Sequence, residues 1–317
     1  MENLIFGPVP SRRLGRSIGI NNIPHKHCSY SCAYCQIGKA VTMQDERRNF
    51  YSPNILVEQV EKRLKTIRNQ DFPDYLTIVP DGEPTLDIHL GKLIVNLKKL
   101  GFPVAVITNS SLIHRADVQS ELMHADYISF KVDTVDRQTW RKVNKPHKGL
   151  NLESFLTSLS NFSKKFEGKL VTETMLIKGL NDTDEELNQL GRFLQSVKPH
   201  IAFLAIPTRP PAYKNVFPAD ELTMAKAYET FSWFCLTPEF LTGYEGNAFA
   251  SSGNFKNDLL SITAVHPMRS DGVLELMAKS NSSITELNQL IDSKSIKRVD
   301  YNYKTYYMRN FTGSNNK

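Results

Sequence analysis

Long apolar runs are missing from this sequence: none approaches the roughly 18 residues that a bilayer-spanning helix requires, so no membrane partner is expected. The opening MENLIFGPVPSRR lacks the apolar core and small-residue cleavage site of a secretory signal, and a cytoplasmic location is the expectation. Cysteine is scarce. Four in 317 residues cannot build a disulfide framework. Internal repeats and low-complexity tracts are lacking too, and an apolar share of 40% with 23% charged residues is that of a soluble globular chain. Excess charge is small. A net +6 mildly favours an anionic partner and excludes a strongly basic protein. It is uneven, with Arg12, Arg13, Arg16, Lys26, Lys39, Arg47 and Arg48 in the first 50 residues against Glu2, Asp45 and Glu46. Solvated surface and an RNA-facing surface both fit that distribution.

What is present is a strand–helix alternation. SIGINNI (17–23), YLTIV (75–79), VAVITN (104–109), YISFKVD (127–133), TETMLIKG (172–179) and IAFLAIP (201–207) read as six strands. Helices are predicted between them: one capped by Ser52 with Pro53 at its first position, one striped by Leu90, Leu93, Ile94 and Leu97 and stopped at Gly101, and one over 151–166. Thr183 and Glu186 form a capping box for another, and ADELTMAKAYETFSWF (219–234) follows the sixth strand. Six βα units imply parallel strands with right-handed crossovers. A full eight-unit barrel takes about 250 residues, so an α/β fold with an incomplete, TIM-like barrel is expected over residues 1–242, an open doubly wound sheet being the alternative. GYEGNAFASSGN (243–254) reads as a linker. Two helices (271–280 and 283–293) and a hairpin (297–309) beyond it suggest a small winged-helix-like domain over 255–317.

Chemistry concentrates in CSYSCAYC. Cys28, Cys32 and Cys35 are separated by three and two residues, and thiolates are the usual ligands of iron–sulfur clusters. Three ligands on a four-iron cube leave one iron open. Structural zinc needs a fourth ligand, which His25 or His27 would supply, so zinc is the competing reading. Cys235 stands alone on a helix and is expected to be a buried, inert thiol.

CxxxCxxC with an aromatic, Tyr34, before its last cysteine resembles the signature of the radical S-adenosylmethionine (SAM) superfamily. The resemblance implies a partial (β/α)6 barrel, a 4Fe–4S cluster on Cys28, Cys32 and Cys35, and SAM bound at the open iron. It also implies cleavage to methionine and a 5′-deoxyadenosyl radical, with an electron from a carrier such as flavodoxin or ferredoxin. Gly82-Glu83 is similar to the family's Gly-Gly-Glu motif for the SAM amino group, with Asp81 in place of the first glycine. Tyr34 matches an adenine contact, and Asn109, Lys131 and Asp133 match places where relatives hold SAM or substrate.

Those residues also follow from barrel logic, since active sites lie where strands end. Asp81 to Pro84, Thr108 and Asn109, Lys131 and Asp133, Lys178, Asn181 and Asp182, and Arg209 all fall at such ends, although each is also a plausible turn residue or cap. Arg12, Arg13 and Arg16, placed ahead of the first strand, would clamp an anion or form surface salt bridges. FGPVPSRRLGRSIGINNIPHKHCSYSCAYCQIG, DGEPTL, SFKVD and IKGLND resemble the group that includes the tRNA wyosine synthases, over residues 5–211. Those enzymes carry second-cluster cysteines ahead of the motif, and here no cysteine precedes Cys28. Lys297, Arg298, Lys304 and Arg309 in the tail suit RNA phosphates, while winged helices also dock proteins. Radical chemistry on tRNA or another nucleoside-containing substrate leads. A peptide- or protein-modifying activase and a metal-stapled nucleic-acid-binding regulator are the alternatives.

Overall fold

The structure is a computed structural model that describes residues 4–67, 71–243, 246, 247 and 249–310. The chain begins with β1 (Ile5–Ser11), antiparallel to β2 (Gly15–Ile20). Two short strands, β3 (His27–Cys28) and β4 (Thr42–Met43), pair in parallel around the cysteine loop. There follow α1 (Pro53–Thr66), β5 (Tyr75–Ile78), α2 (Leu90–Lys98), β6 (Val104–Thr108), α3 (Ala116–Leu122) and β7 (Tyr127–Lys131). Then come α4 (Arg137–Val143), α5 (Leu152–Ser163), β8 (Lys169–Met175), α6 (Asp184–Val197), β9 (Ile201–Ala205), α7 (Glu221–Trp233) and β10 (Pro238–Phe240).

The sheet order is β1-β2-β5-β6-β7-β8-β9-β10, with every neighbour from β2 onward parallel. Strands that follow one another in sequence lie side by side. A doubly wound sheet would reverse direction at a switch point, so this order selects the partial barrel. Alternation along each strand explains the curvature. Ile18, Leu76, Val104, Ile128 and Leu170 pack outward under the helix stripes. Ala105, Tyr127, Val171 and Phe203 face the other way and fill the barrel's interior.

Local chemistry sets several boundaries. Ser52 and Pro53 open α1, although the Ser52 side chain makes no capping bond. Thr183 accepts the Glu186 amide at 3.3 Å, but Glu186 does not complete the box. Its carboxylate instead accepts the hydroxyls of Thr134 (2.6 Å) and Thr139 (2.5 Å), tying α6 to α4 and to the loop before it. Cys235 is exposed, contrary to expectation, because it adopts a left-handed φ of 56° just past α7 and so leaves the helix's buried face. Arg12 and Arg13 lie in the turn between β1 and β2, and Arg16 lies on β2, not ahead of the first strand.

Beyond the barrel, α8 (Phe255–Val265), β11 (Met268–Arg269), α9 (Ser270–Lys279), α10 (Ile284–Asp292), β12 (Ile296–Tyr301) and β13 (Lys304–Arg309) follow in the element order of a winged helix. Their sheet runs β11-β13-β12, antiparallel. The sequence pattern did not reveal α8, which buries Phe255, Leu259, Ile262 and Thr263 and therefore shows no clean polar face. The apolar members of that helix share a core with Phe6 and Val9 of β1. Within 243–254, residues 244, 245 and 248 lie outside the described residues, and Phe249 is buried in that same core. Among the described residues no helix is long and apolar enough to cross a membrane.

Candidate active site at the mouth of the barrel

Cys28 ends β3, and the loop from there to β4 carries Cys32 and Cys35. Each thiol meets a nitrogen donor. Lys26 Nζ lies 3.2 Å from Cys35 Sγ, Asn109 Nδ2 3.5 Å from Cys28 Sγ, and Asn144 Nδ2 3.7 Å from Cys32 Sγ. Burial pushes the Cys28 thiol up to about 12, with the Glu83 carboxylate adding to the effect, and burial raises Cys32 as well. Burial alone would lower the Lys26 pKa, but negative charge on Cys35 and Cys28, where the thiols ionise, outweighs it and raises it. At Cys28 and Cys32 the bare loop thus disfavours the thiolate, and a bound metal cation reverses that preference.

The chemistry of the donor set fits a cluster better than zinc. His25 Nδ1 is 2.5 Å from Asp81 Oδ2 and is engaged there, while His27 packs edge-on against Phe50 and its buried Nδ1 has no hydrogen-bond partner among the described residues. Among the described residues no three His, Cys, Asp or Glu side chains converge on a single ion. The cysteines of a four-iron cube bind different irons and need no such convergence.

Gly82 is required by close approach. A Cβ there would stand 2.1 Å from the His27 carbonyl oxygen, and the next amide, Glu83 N–H, donates to that oxygen at 3.0 Å. Asp81, where the family motif has glycine, holds His25 and accepts from Asn21 Nδ2 at 3.0 Å, clamping this turn to the cysteine loop. Glu83 is fully buried and its carboxyl pKa is raised by that burial. Its Oε1 accepts from the Thr85 amide and from the hydroxyls of Thr85 and Thr108, while Oε2 accepts the Asn109 amide at 2.8 Å.

Deeper in the barrel, Glu173 lies between two cations, Arg13 at 2.6 Å and Lys131 at 2.5 Å. Burial alone would raise its pKa, but Arg13 and Lys131 prevail and hold it at about 2. Lys131 also sits 5.5 Å from the Tyr34 ring centroid. The Tyr34 hydroxyl donates to Asp133 Oδ2 (2.5 Å), which also accepts Asn144 Nδ2 (2.6 Å). Asp133 is buried, its pKa raised by burial, and it stands behind Tyr34.

A cavity of about 280 Å³ gathers Cys28, Cys32, Cys35, Tyr34, Gly82, Glu83, Asn109 and Lys131, and Arg12, Arg13 and Arg209 line it too. Asp133 does not line it. Nor do Arg16, Lys178, Asn181 and Asp182: Lys178 pairs with Asp220 at the surface, and Asn181 fastens its loop to the Asp133 and Met175 carbonyls. Glu173, Lys26, Asn144 and His266 were missed by sequence reasoning, since they join the site through long-range contacts that no local spacing announces. His266 comes from the tail and meets Arg209 at 3.1 Å, while Gln36 of the cysteine loop bonds both Arg209 and the Val265 carbonyl.

With a sequential parallel barrel and a three-thiol loop at its mouth, the class is defined. The family model of the Radical SAM superfamily matches residues 22–191, and the chain belongs to that superfamily of enzymes. It is 42% identical over 309 residues to the UPF0026 protein MJ1312 of Methanocaldococcus jannaschii, covering 97% of this chain and 96% of that one. A dual-specificity RNA methyltransferase RlmN of Buchnera aphidicola is 26% identical over 191 residues, 54% of this chain and 48% of the relative. A radical SAM methyltransferase structure from Sphaerobacter thermophilus shares the fold at TM-score 0.56 and 13% identity, over 71% of this chain and 66% of that one. A structure of TYW1 with a lysine-pyruvate adduct bound aligns at TM-score 0.47 and 16% identity, over 95% of this chain and 82% of that one.

Proposed function

We propose that Cys28, Cys32 and Cys35 hold a 4Fe–4S cluster with one iron left for SAM, and that the enzyme directs 5′-deoxyadenosyl radical chemistry at tRNA or another nucleoside-containing substrate. One observation carries this reading: three thiols on one loop, each beside a nitrogen donor, on the wall of a cavity that also holds Glu83, Asn109 and Lys131. When bound, the cluster supplies the electron that splits the sulfonium. The chain's own residues do the rest. Among the described residues Glu83 Oε2 accepts one bond, from Asn109, and keeps a lone pair for the SAM ammonium. Gly82 lets that turn approach the cysteine loop. Lys131 and Arg13 exceed Glu173 by one positive charge, which suits a carboxylate or phosphate. Tyr34, buttressed by Asp133, offers its ring to adenine.

The nucleic-acid part rests on the RNA methyltransferase relative and on the tail. We place the boundary of the barrel unit at residue 242, with 243–254 as connector and 255–317 as the RNA-facing unit. Lys297, Arg298 and Lys304 are exposed along its hairpin, and Tyr303 is fully exposed at the tip, an arrangement that suits phosphates and an unstacked base.

Anaerobic reconstitution with iron and sulfide, then dithionite and SAM, tests the chemistry. 5′-Deoxyadenosine must form, and a protein that holds zinc and leaves SAM intact refutes the proposal. For the substrate, Lys297→Glu with Lys304→Glu is expected to weaken tRNA binding and to flatten its salt dependence, the slope falling by about one for each phosphate no longer neutralised. Unchanged binding turns the reading toward a peptide substrate.

A further inference from the structure

The excess positive charge of the chain is gathered in three short segments. Residues 36–44, 137–150 and 210–217 hold seven Lys or Arg and no Asp or Glu, one more than the net +6 of the whole chain. All seven side chains are exposed or half-buried. The first segment runs from the cysteine loop through β4, the second is α4 with the loop after it, and the third lies between β9 and α7. Backbone hydrogen bonds fasten the second and third to the first turn of the cysteine loop. The Ser31 amide donates to the Lys145 carbonyl at 3.1 Å, the Ala33 amide to the Val143 carbonyl at 2.7 Å, and the Tyr213 amide to the Ala33 carbonyl at 3.3 Å.

One cation from each of the first two segments meets an aromatic ring of the third. Lys39 and Lys145 lie 4.4 and 4.9 Å from the centroid of the same Tyr213 ring. Their ammonium groups are therefore no farther apart than those two distances laid end to end. The ring face attracts each of them, but the two charges repel one another, and an anion between them removes that cost. Among the described residues neither lysine has a carboxylate partner. The acids that border the segments are engaged elsewhere: Asp136 accepts the Thr139 amide at the start of α4, and Asp45 is tied to His147 at 3.2 Å. Lys145 also adopts a left-handed φ of 46°, so its place beside the ring is set by the backbone as well as by the side chain.

We propose that Lys39 and Lys145, braced on Tyr213, bind backbone phosphates of an RNA strand next to the nucleotide that enters the cavity, and that the remaining cations of the three segments extend this track. Ile37 lines the cavity, and Lys39 is two residues further on, at most about 7 Å of chain, so the track begins where the cavity wall ends. A run of cations without interleaved acids matches a polymer that carries one negative charge per nucleotide. This inference deepens the RNA reading proposed above and rests on it.

The test uses full-length, cluster-loaded protein and bulk tRNA, with binding titrated over a series of salt concentrations. Lys39→Glu with Lys145→Glu is expected to weaken binding roughly tenfold or more at low salt and to lower the salt slope by about one to two. Lys92→Glu with Lys164→Glu changes the net charge equally on the outer helices, where both lysines are exposed, and should stay within about twofold of wild type. Lys39→Arg with Lys145→Arg should keep the affinity, and a loss there overturns the charge argument. Iron content checks that the cysteine loop is intact; if the glutamate pair loses iron, Lys39→Gln with Lys145→Gln repeats the titration. Binding by the loop variants within about twofold of wild type overturns the phosphate track and turns the patch toward an acidic protein. Equal weakening by the outer-helix pair overturns it as well, as an effect of overall charge. Wild-type protein that shows no salt-dependent tRNA binding sinks the RNA reading and this inference together, whereas weakening confined to Lys297→Glu with Lys304→Glu sinks this inference alone.

Discussion

Glu173 is the residue whose removal should reveal the barrel interior most clearly. Glu173→Gln keeps the side chain's size and deletes its charge, leaving Arg13 and Lys131 facing a neutral amide. The carboxylate is 4% exposed and lies 2.6 and 2.5 Å from its partners. Its pKa falls from 4.5 to about 2 on folding. At about 1.36 kcal/mol per pH unit, that is about 3 kcal/mol of stability. Breaking a buried ion pair from one side costs a similar amount, about 3–5 kcal/mol. With an unfolding entropy of about 2.1 cal/mol/K per residue, the 317-residue chain should lose roughly 4–5 °C in melting temperature at pH 7. The sign in pH follows from the direction of the shift. A depressed folded pKa contributes fully above the ordinary glutamate value of 4.5 and is lost as pH falls toward about 2. Wild type and variant should therefore converge over that window in anaerobic thermal melts. A drop under about 1 °C at pH 7, or a gap that persists at low pH, would refute the ion-pair account.

Other substitutions probe the loop. Gly82→Ala puts a methyl 2.1 Å from the His27 carbonyl oxygen, so the cysteine loop must move; a cost of about 1–3 kcal/mol and reduced iron per chain are expected, read by melting and iron analysis. Asn109→Ala and Asn144→Ala each remove a donor to a thiol; iron retention or SAM cleavage should fall about 10–100-fold, and wild-type iron and rate would refute it. Cys235→Ser, at an exposed position, should leave iron content unchanged, whereas Cys32→Ser should abolish it. Tyr306→Phe deletes a 2.9 Å hydrogen bond from the tail to the Thr208 carbonyl beside the cavity; a destabilisation of about 1 kcal/mol should appear as faster proteolysis of residues beyond 255.

Much of this was legible because it is local. Six apolar runs of strand length kept their period, and the order of βα units carried straight into the order of the sheet. β1 was not legible. IFGPVPS holds two prolines, which argue against a strand unless it lies at an edge, and only the sheet shows that it does. Cys235 was misplaced because a helical stripe says nothing about the left-handed residue after the helix ends.

For the site, the sequence alone determined the three thiols, the Gly82-Glu83 turn and the strand-end residues, because ligand spacing and strand termini are properties of short segments. Tertiary structure decided which of them meet. Asn144 reaches Cys32 across 112 positions and Lys131 reaches Glu173 across 42, while Asp133 turns out to support Tyr34 from behind. It also placed His266 of the tail at the cavity wall and β4 against Cys28. Such contacts depend on how the strands curve and which faces they bury, and pairing across a curved sheet leaves no mark in residue spacing.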